Sequence, residues 1–186
     1  GQFFYAQKIT KNMIGGVLIG KGSFRKFDDY NLTIKVKDFS VNKDTDFYNF
    51  YEEISKQINC DIWVQNNKMP AGPSVPTKTL IKIINEIERV DFLKEESANS
   101  SQMHSIINEN CKQGLKSIMG GAGGRFIIDE YRRGSNGIMP SGHMLEAHRI
   151  LWDKLTESKE GEVSTDAIEV WNKMLEALNF EFMYSV

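Results

Sequence analysis

The chain has 186 residues, of which 40% are apolar, 26% charged and 11% aromatic, and a formal net charge of -2. That length suits one hydrophobic core, and the composition is that of a globular domain, not a disordered or disulfide-stapled chain. Lysines and arginines scattered among acids exclude a dedicated polyanion binder, and no apolar stretch approaches the length of a bilayer span, so neither a nucleic acid nor a membrane is expected as partner.

In chain order, the first short apolar run is Ile14–Ile19 (IGGVLI), which predicts a strand. Residues 32–41 (LTIKVKDFSV) alternate apolar and polar, as an exposed extra strand or an extended loop would. Phe47, Phe50, Tyr51, Ile54 and Ile58 fall on one helical stripe. A second strand is predicted at Ile62–Val64 (IWV), followed by the Pro/Gly loop 69–76. Leu80, Ile83, Ile84 and Ile87 form the next stripe, with Pro76 suited to a first helical turn. Val90–Leu93 (VDFL) predicts a third strand, Met103, Ile106 and Ile107 a weaker helix, and Leu115–Met119 (LKSIM) a fourth strand. After the glycine run comes a helix that Arg132 and Arg133 close and Gly134 caps, then a fifth strand at Gly137–Met139. Ala147, Ile150 and Leu151 predict a further helix. The clearest stripe is Ala167, Val170, Trp171, Met174, Leu175 and Leu178, with Ser164 or Thr165 as N-cap. Strand and helix alternate, which is the signature of βαβ units with parallel, fully covered strands. The two cysteines, Cys60 and Cys111, lie in segments that read as buried and make no disulfide framework. There is no secretory leader pattern in residues 1–13, and a cytoplasmic location is expected. The first residue, Gly1, fits a processed, tagged or truncated product.

Parallel α/β architectures place working groups where strands end. The predicted strand ends are Gly20–Gly22, Gln65 with Asn66, Lys94, Gly120–Gly124 and Pro140–Gly142. Lys94 is the one cation among them joined directly to an apolar strand. It reads either as a strand surfacing into solvent or as an amine poised to attack a carbonyl and form an imine. The run GGAGGRF (120–126) reads either as a tight packing turn or as a backbone cradle for an anion, aided by the start of the next helix. Neither GxGxxG after the first strand nor GxxxxGK[ST] is present, so a carboxylate is as good a guest as a phosphate, and a nucleotide is the least favoured one. His104, His143 and His148 make no metal-binding spacing, no GxSxG elbow occurs, and Trp63, Trp152 and Trp171 read as core. No metal and no cofactor are expected.

From about Asp61 to Phe182 the sequence resembles the C-terminal half of the dihydrodipicolinate synthase/N-acetylneuraminate lyase family, the (β/α)8-barrel class I aldolases that bind a 2-keto acid as a Schiff base. VDFLKEES is similar to the end of the sixth barrel strand, which implies that Lys94 is the Schiff-base lysine. GGAGGRFIIDEYRRGSNGIMPSG resembles the end of the seventh strand, the next helix and the eighth strand, and implies that Gly120, Gly121, Ala122 and Gly123 form part of the pocket wall. The tail LWDKLTESKEGE…WNKMLEALNFE resembles the closing helices of a sub-group similar to sugar-acid dehydratases. The family's Tyr-Asn-x-Pro segment is replaced by VQNNKMPAG, so Gln65 stands near the proton-relaying tyrosine, where an amide positions a water or a hydroxyl but relays no proton. That argues against dihydrodipicolinate synthesis and sialic acid cleavage.

The resemblance implies a partial (β/α)8 TIM barrel of about five βα units. Residues 1–160 form the barrel part and 161–186 a helical extension of the same domain. Ile14–Ile19 is similar to the fourth strand and residues 3–12 to the end of the third helix. Strands one to three, and with them the loop that holds the substrate carboxylate in this family, have no counterpart. The implied activity is Schiff-base aldol cleavage or dehydration of a small-molecule 2-keto acid, a 3-deoxy-2-keto sugar acid in particular. An open sheet implies a homo-oligomer or a partner chain. The alternative is a non-catalytic barrel fragment that associates with a full-length paralogue.

Overall fold

The computed structural model describes residues 17–19, 44–59, 61–67, 74–111, 115–140, 144–159 and 161–184. Among these residues the strands are β1 (Val17–Ile19), β2 (Ile62–Asn66), β3 (Val90–Glu95), β4 (Ser117–Gly120) and β5 (Gly137–Ile138). The helices are α1 (Asp44–Gln57), α2 (Thr77–Glu86), α3 (Ser100–Asn110), α4 (Ile127–Arg132), α5 (Leu145–Thr156) and α6 (Thr165–Tyr184). The strands follow one another in sequence order, and β2 to β5 run parallel with helices between them. The expectation for residues 32–41, the strand end at Gly20–Gly22, Cys60 and His143 lie outside the described residues.

The chain divides into two compact units, Gly1–Leu93 with Asn110–Lys116, and Lys94–Glu109 with Ser117–Val186. In the first, α1 buries Phe47, Phe50, Tyr51 and Ile54, and Ile58 just past its end is buried too, which completes the predicted stripe. The fully buried Ile62 and Val64 of β2 and Leu80 and Ile83 of α2 complete that core, each such side chain stabilising by roughly 2 kcal/mol. Trp63 is buried and stacks on Phe92 with ring centroids 4.5 Å apart. Buried Cys111 has its thiol pushed up to about 11 by burial, which keeps it an inert core group.

One expectation fails here. The pattern called for parallel strands throughout, with Ile14–Ile19 as the fourth barrel strand. Instead β1 pairs antiparallel with β2, Val17 opposite Val64 and Ile19 opposite Ile62. A three-residue apolar run carries no record of its direction, because burial and β-propensity are the same either way. Pro76 is also displaced by one position: it is the N-cap residue, with ψ of 138°, and the helix starts at Thr77.

In the second unit β4 pairs in parallel with β5, Met119 opposite Gly137 and Gly120 opposite Ile138. The side-chain oxygen of Asn136 accepts from Ile118 N–H at 3.1 Å while the backbone N–H of Asn136 donates to Ile118 C=O at 2.9 Å, which fixes the register. The core combines Ile127, Ile128 and Tyr131 of α4, Leu151 and Leu155 of α5, and Ala167, Met174 and Leu178 of α6. On α5 the buried stripe is His148, Leu151 and Leu155, whereas Ile150, expected inside, is 52% exposed. Gly134, at φ of 85°, follows Arg133 as the left-handed residue that ends α4, as expected.

Ser164 is the N-cap of α6: its hydroxyl oxygen accepts from Ala167 N–H at 3.1 Å. Ser164→Ala is expected to cost about 1 kcal/mol in urea unfolding, and a loss under a few tenths would mean that the bond contributes nothing.

Candidate functional site

Lys94 does not follow β3 but lies inside it, one residue before its end. The strand runs two residues beyond the apolar string VDFL because Glu95 is itself fully buried, with Oε1 accepting from Ser97 N–H at 2.7 Å. The Lys94 side chain is 18% exposed and pairs with Glu96, 13% exposed, at 3.0 Å between Nζ and Oε2. The other oxygen of that carboxylate accepts from Ala122 N–H at 2.8 Å. Glu96 therefore connects the lysine to the glycine turn, and the structure brings together two of the three features that the sequence singled out.

The turn after β4 has left-handed backbone at Ala122, Gly123 and Gly124, with φ of 49°, 66° and 86°. Successive N–H groups in such a turn converge on an anion. The anion here is the protein's own. A Cβ on Gly121 would lie 2.1 Å from Glu96 Oε1, and one on Gly120 would lie 1.7 Å from Glu130 Oε2. His148 closes the far side, its Nε2 3.0 Å from Gly123 C=O and its Nδ1 3.0 Å from Met144 C=O. Each of these glycines thus gives room to a side chain of this chain. The next helix, α4, is six residues long and already has Asp129 and Glu130 in its first turn, so its start adds no free attraction for a guest.

Glu130 is not singled out by the sequence, and it is a buried acid with a strongly raised pKa. It is 1% exposed, with Oε1 accepting from the Ser100 hydroxyl at 2.7 Å and Oε2 buried without a hydrogen-bond partner. Burial pushes its carboxyl up to about 7, and the charges of Glu95, Glu96 and Asp129 add to that rise against the opposing Ser100 bond. One turn along α3, His104 is wholly buried. Its Nδ1 donates to Ser100 C=O at 2.8 Å, its Nε2 has no partner, and burial holds its pKa below the usual histidine value. Only the position of Glu130 between apolar Ile127–Ile128 and Tyr131 hinted at its burial.

Gln65 lies in the first unit, within β2 and not after it, and is half-buried. Its neighbour Asn66 is buried, and its side-chain oxygen accepts from Val75 N–H at 2.9 Å, which pins the entry to α2. Among the described residues no group of three or more histidines, cysteines or acids could hold a metal ion, and no helix is long and apolar enough to cross a membrane.

Parallel strands alternating with helices, and a lysine and a glycine turn at the carboxyl ends of β3 and β4, define part of a (β/α)8 barrel. Comparison with solved structures agrees. The chain is similar to dihydrodipicolinate synthase from Rhodopseudomonas palustris, with a TM-score of 0.66 and 16% identity over 75% of this chain and 47% of that one. It is similar also to dihydrodipicolinate synthase from Aquifex aeolicus, with a TM-score of 0.63 and 15% identity over 75% and 46%. The chain thus spans about half the length of these structures. At such identities the likeness carries the fold, and it is the fold that the sequence resemblance implied. No protein-family model and no curated protein sequence matches the chain.

Proposed function

We propose that this chain carries the lysine-bearing part of a Schiff-base lyase acting on a 2-keto acid, with a 3-deoxy-2-keto sugar acid as the favoured substrate and aldol cleavage or dehydration as the reaction. The observation that carries this reading is Lys94: a largely covered amine at the carboxyl end of a parallel strand, ion-paired to a carboxylate that can take its proton. Imine formation at Nζ makes an electron sink next to C3 of the acid, which serves either reaction. The Gly120–Gly123 stretch is proposed as a wall beside that amine, and Gln65 as a group that orients a water or hydroxyl. With the glycine turn filled by Glu96, the substrate carboxylate must be held by groups other than this turn.

Borohydride trapping tests the reading. The chain is incubated with pyruvate, reduced and digested, and the Lys94 peptide is read by mass spectrometry. An adduct on Lys94, absent in Lys94→Ala, is the expected result. A folded chain that gives none overturns the reading in favour of a barrel fragment that binds a longer paralogue.

A further inference from the structure

We propose that Glu96 is the proton carrier for imine formation at Lys94, and that the glycine turn is shaped to hold this carboxylate in place. The proposal rests on the Schiff-base reading above. A primary amine attacks a carbonyl only when neutral, and the carbinolamine loses water only when its hydroxyl is protonated. One group in contact with Nζ must therefore accept a proton and later return it. Glu96 meets that requirement, with Oε2 3.0 Å from Nζ. Glu95 is committed to Ser97 N–H, and Glu130 to Ser100 and the recess at Gly120. An amide such as that of Gln65 cannot do this work.

The steps balance without any further reagent. Lys94 ammonium gives a proton to Glu96, leaving a neutral amine and a carboxylic acid. The amine nitrogen bonds to the keto carbon as the C=O π pair moves to oxygen, and a proton passes from nitrogen to that oxygen. Glu96 then protonates the hydroxyl, which departs as water while the nitrogen lone pair forms the C=N bond. The products are a protonated imine, water and a Glu96 carboxylate ready for the reverse path. Throughout, Ala122 N–H holds Oε1 at 2.8 Å, so the charge change falls on an acid whose position is fixed from the other side. Gly121 is required for this approach, since a Cβ there would lie 2.4 Å from Glu96 Cδ.

The test is a time course of borohydride trapping with pyruvate in the wild-type chain, Glu96→Gln and Glu96→Asp, read at the Lys94 peptide. The E96Q amide oxygen can still accept from Ala122 N–H, so the turn is retained, and circular dichroism checks the fold. The expected result is trapping slowed about 100-fold or more in E96Q, the same final extent at long times, and recovery of a large part of the rate in E96D. E96Q trapping as fast as wild type overturns the role of Glu96 and leaves the Schiff-base reading standing. Equal slowing in E96Q and E96D makes Glu96 a structural contact and overturns the role as well. No wild-type adduct on a folded chain overturns both.

Discussion

Gly120→Ala is expected to destabilise the chain by about 3 kcal/mol or more. The added Cβ would lie 1.7 Å from Glu130 Oε2, 2.4 Å from its Cδ and 2.9 Å from its Oε1. A flexible side chain could normally swing away. Glu130 cannot do so cheaply, because it is buried and its other oxygen is bonded to Ser100. Either that bond breaks, stranding a buried acid, or the end of β4 shifts and loses its register with Ile138. The double variant Gly120→Ala with Glu130→Ala separates these causes. Removing the carboxyl vacates the space that the methyl group needs, so the penalty of the glycine substitution is expected to fall to about 1 kcal/mol in that background. Urea titrations of the four chains measure it, and strict additivity would show that the two groups do not meet.

The second large effect is the pH dependence that Glu130 contributes to stability. In the folded chain this acid keeps its proton up to about pH 7, whereas the ordinary value is 4.5. Between those values the native state binds more protons than the unfolded state, so stability falls as pH rises through the window. The charged form is the costly one, and its cost is fully expressed above pH 7. Glu130→Gln removes the titration while leaving an oxygen to accept from Ser100. Wild type is expected to lose about 2 to 3 kcal/mol relative to this variant between pH 5 and pH 8. His104 acts in the opposite sense: held neutral by burial, it costs stability as pH falls below the usual histidine range. Both chains share His104, so the difference between their pH profiles isolates Glu130. Parallel profiles would mean that the carboxyl is ionised in the folded chain.

Much of this was legible in the residues, and the gaps have physical causes. The stripes of α1, α2 and α6 are visible because a helix buried on one side repeats its apolar residues every three or four positions. Cap signals at Ser164 and Gly134 are local and were read correctly. Strand direction at β1 was not legible, since side-chain pattern does not encode it. Strand ends were placed too early at Val64 and Leu93, because a buried Asn66 and a buried Glu95 continue their strands with polar side chains that satisfy local N–H groups. The glycine run reads either as a packing turn or as an anion cradle, and the structure favours the first, with the chain's own side chains packed into it. That its space is filled by Glu96, Glu130 and His148 could not be read from the run itself, because those residues come from segments 25 and more positions away or from the following helix.

The bond from Glu96 to Ala122 N–H also sets what a solute in the surrounding solution can do. A carboxylate tethered beside its donor acts at an effective concentration of millimolar order or above. A small free anion, with no other contact to offer, must outcompete it at that level, so phosphate or sulfate at micromolar concentrations leaves the turn as it stands. Only a molecule that gains its binding free energy elsewhere can dislodge the tethered group. The turn is then a lock already holding its own key, deaf to simple salts.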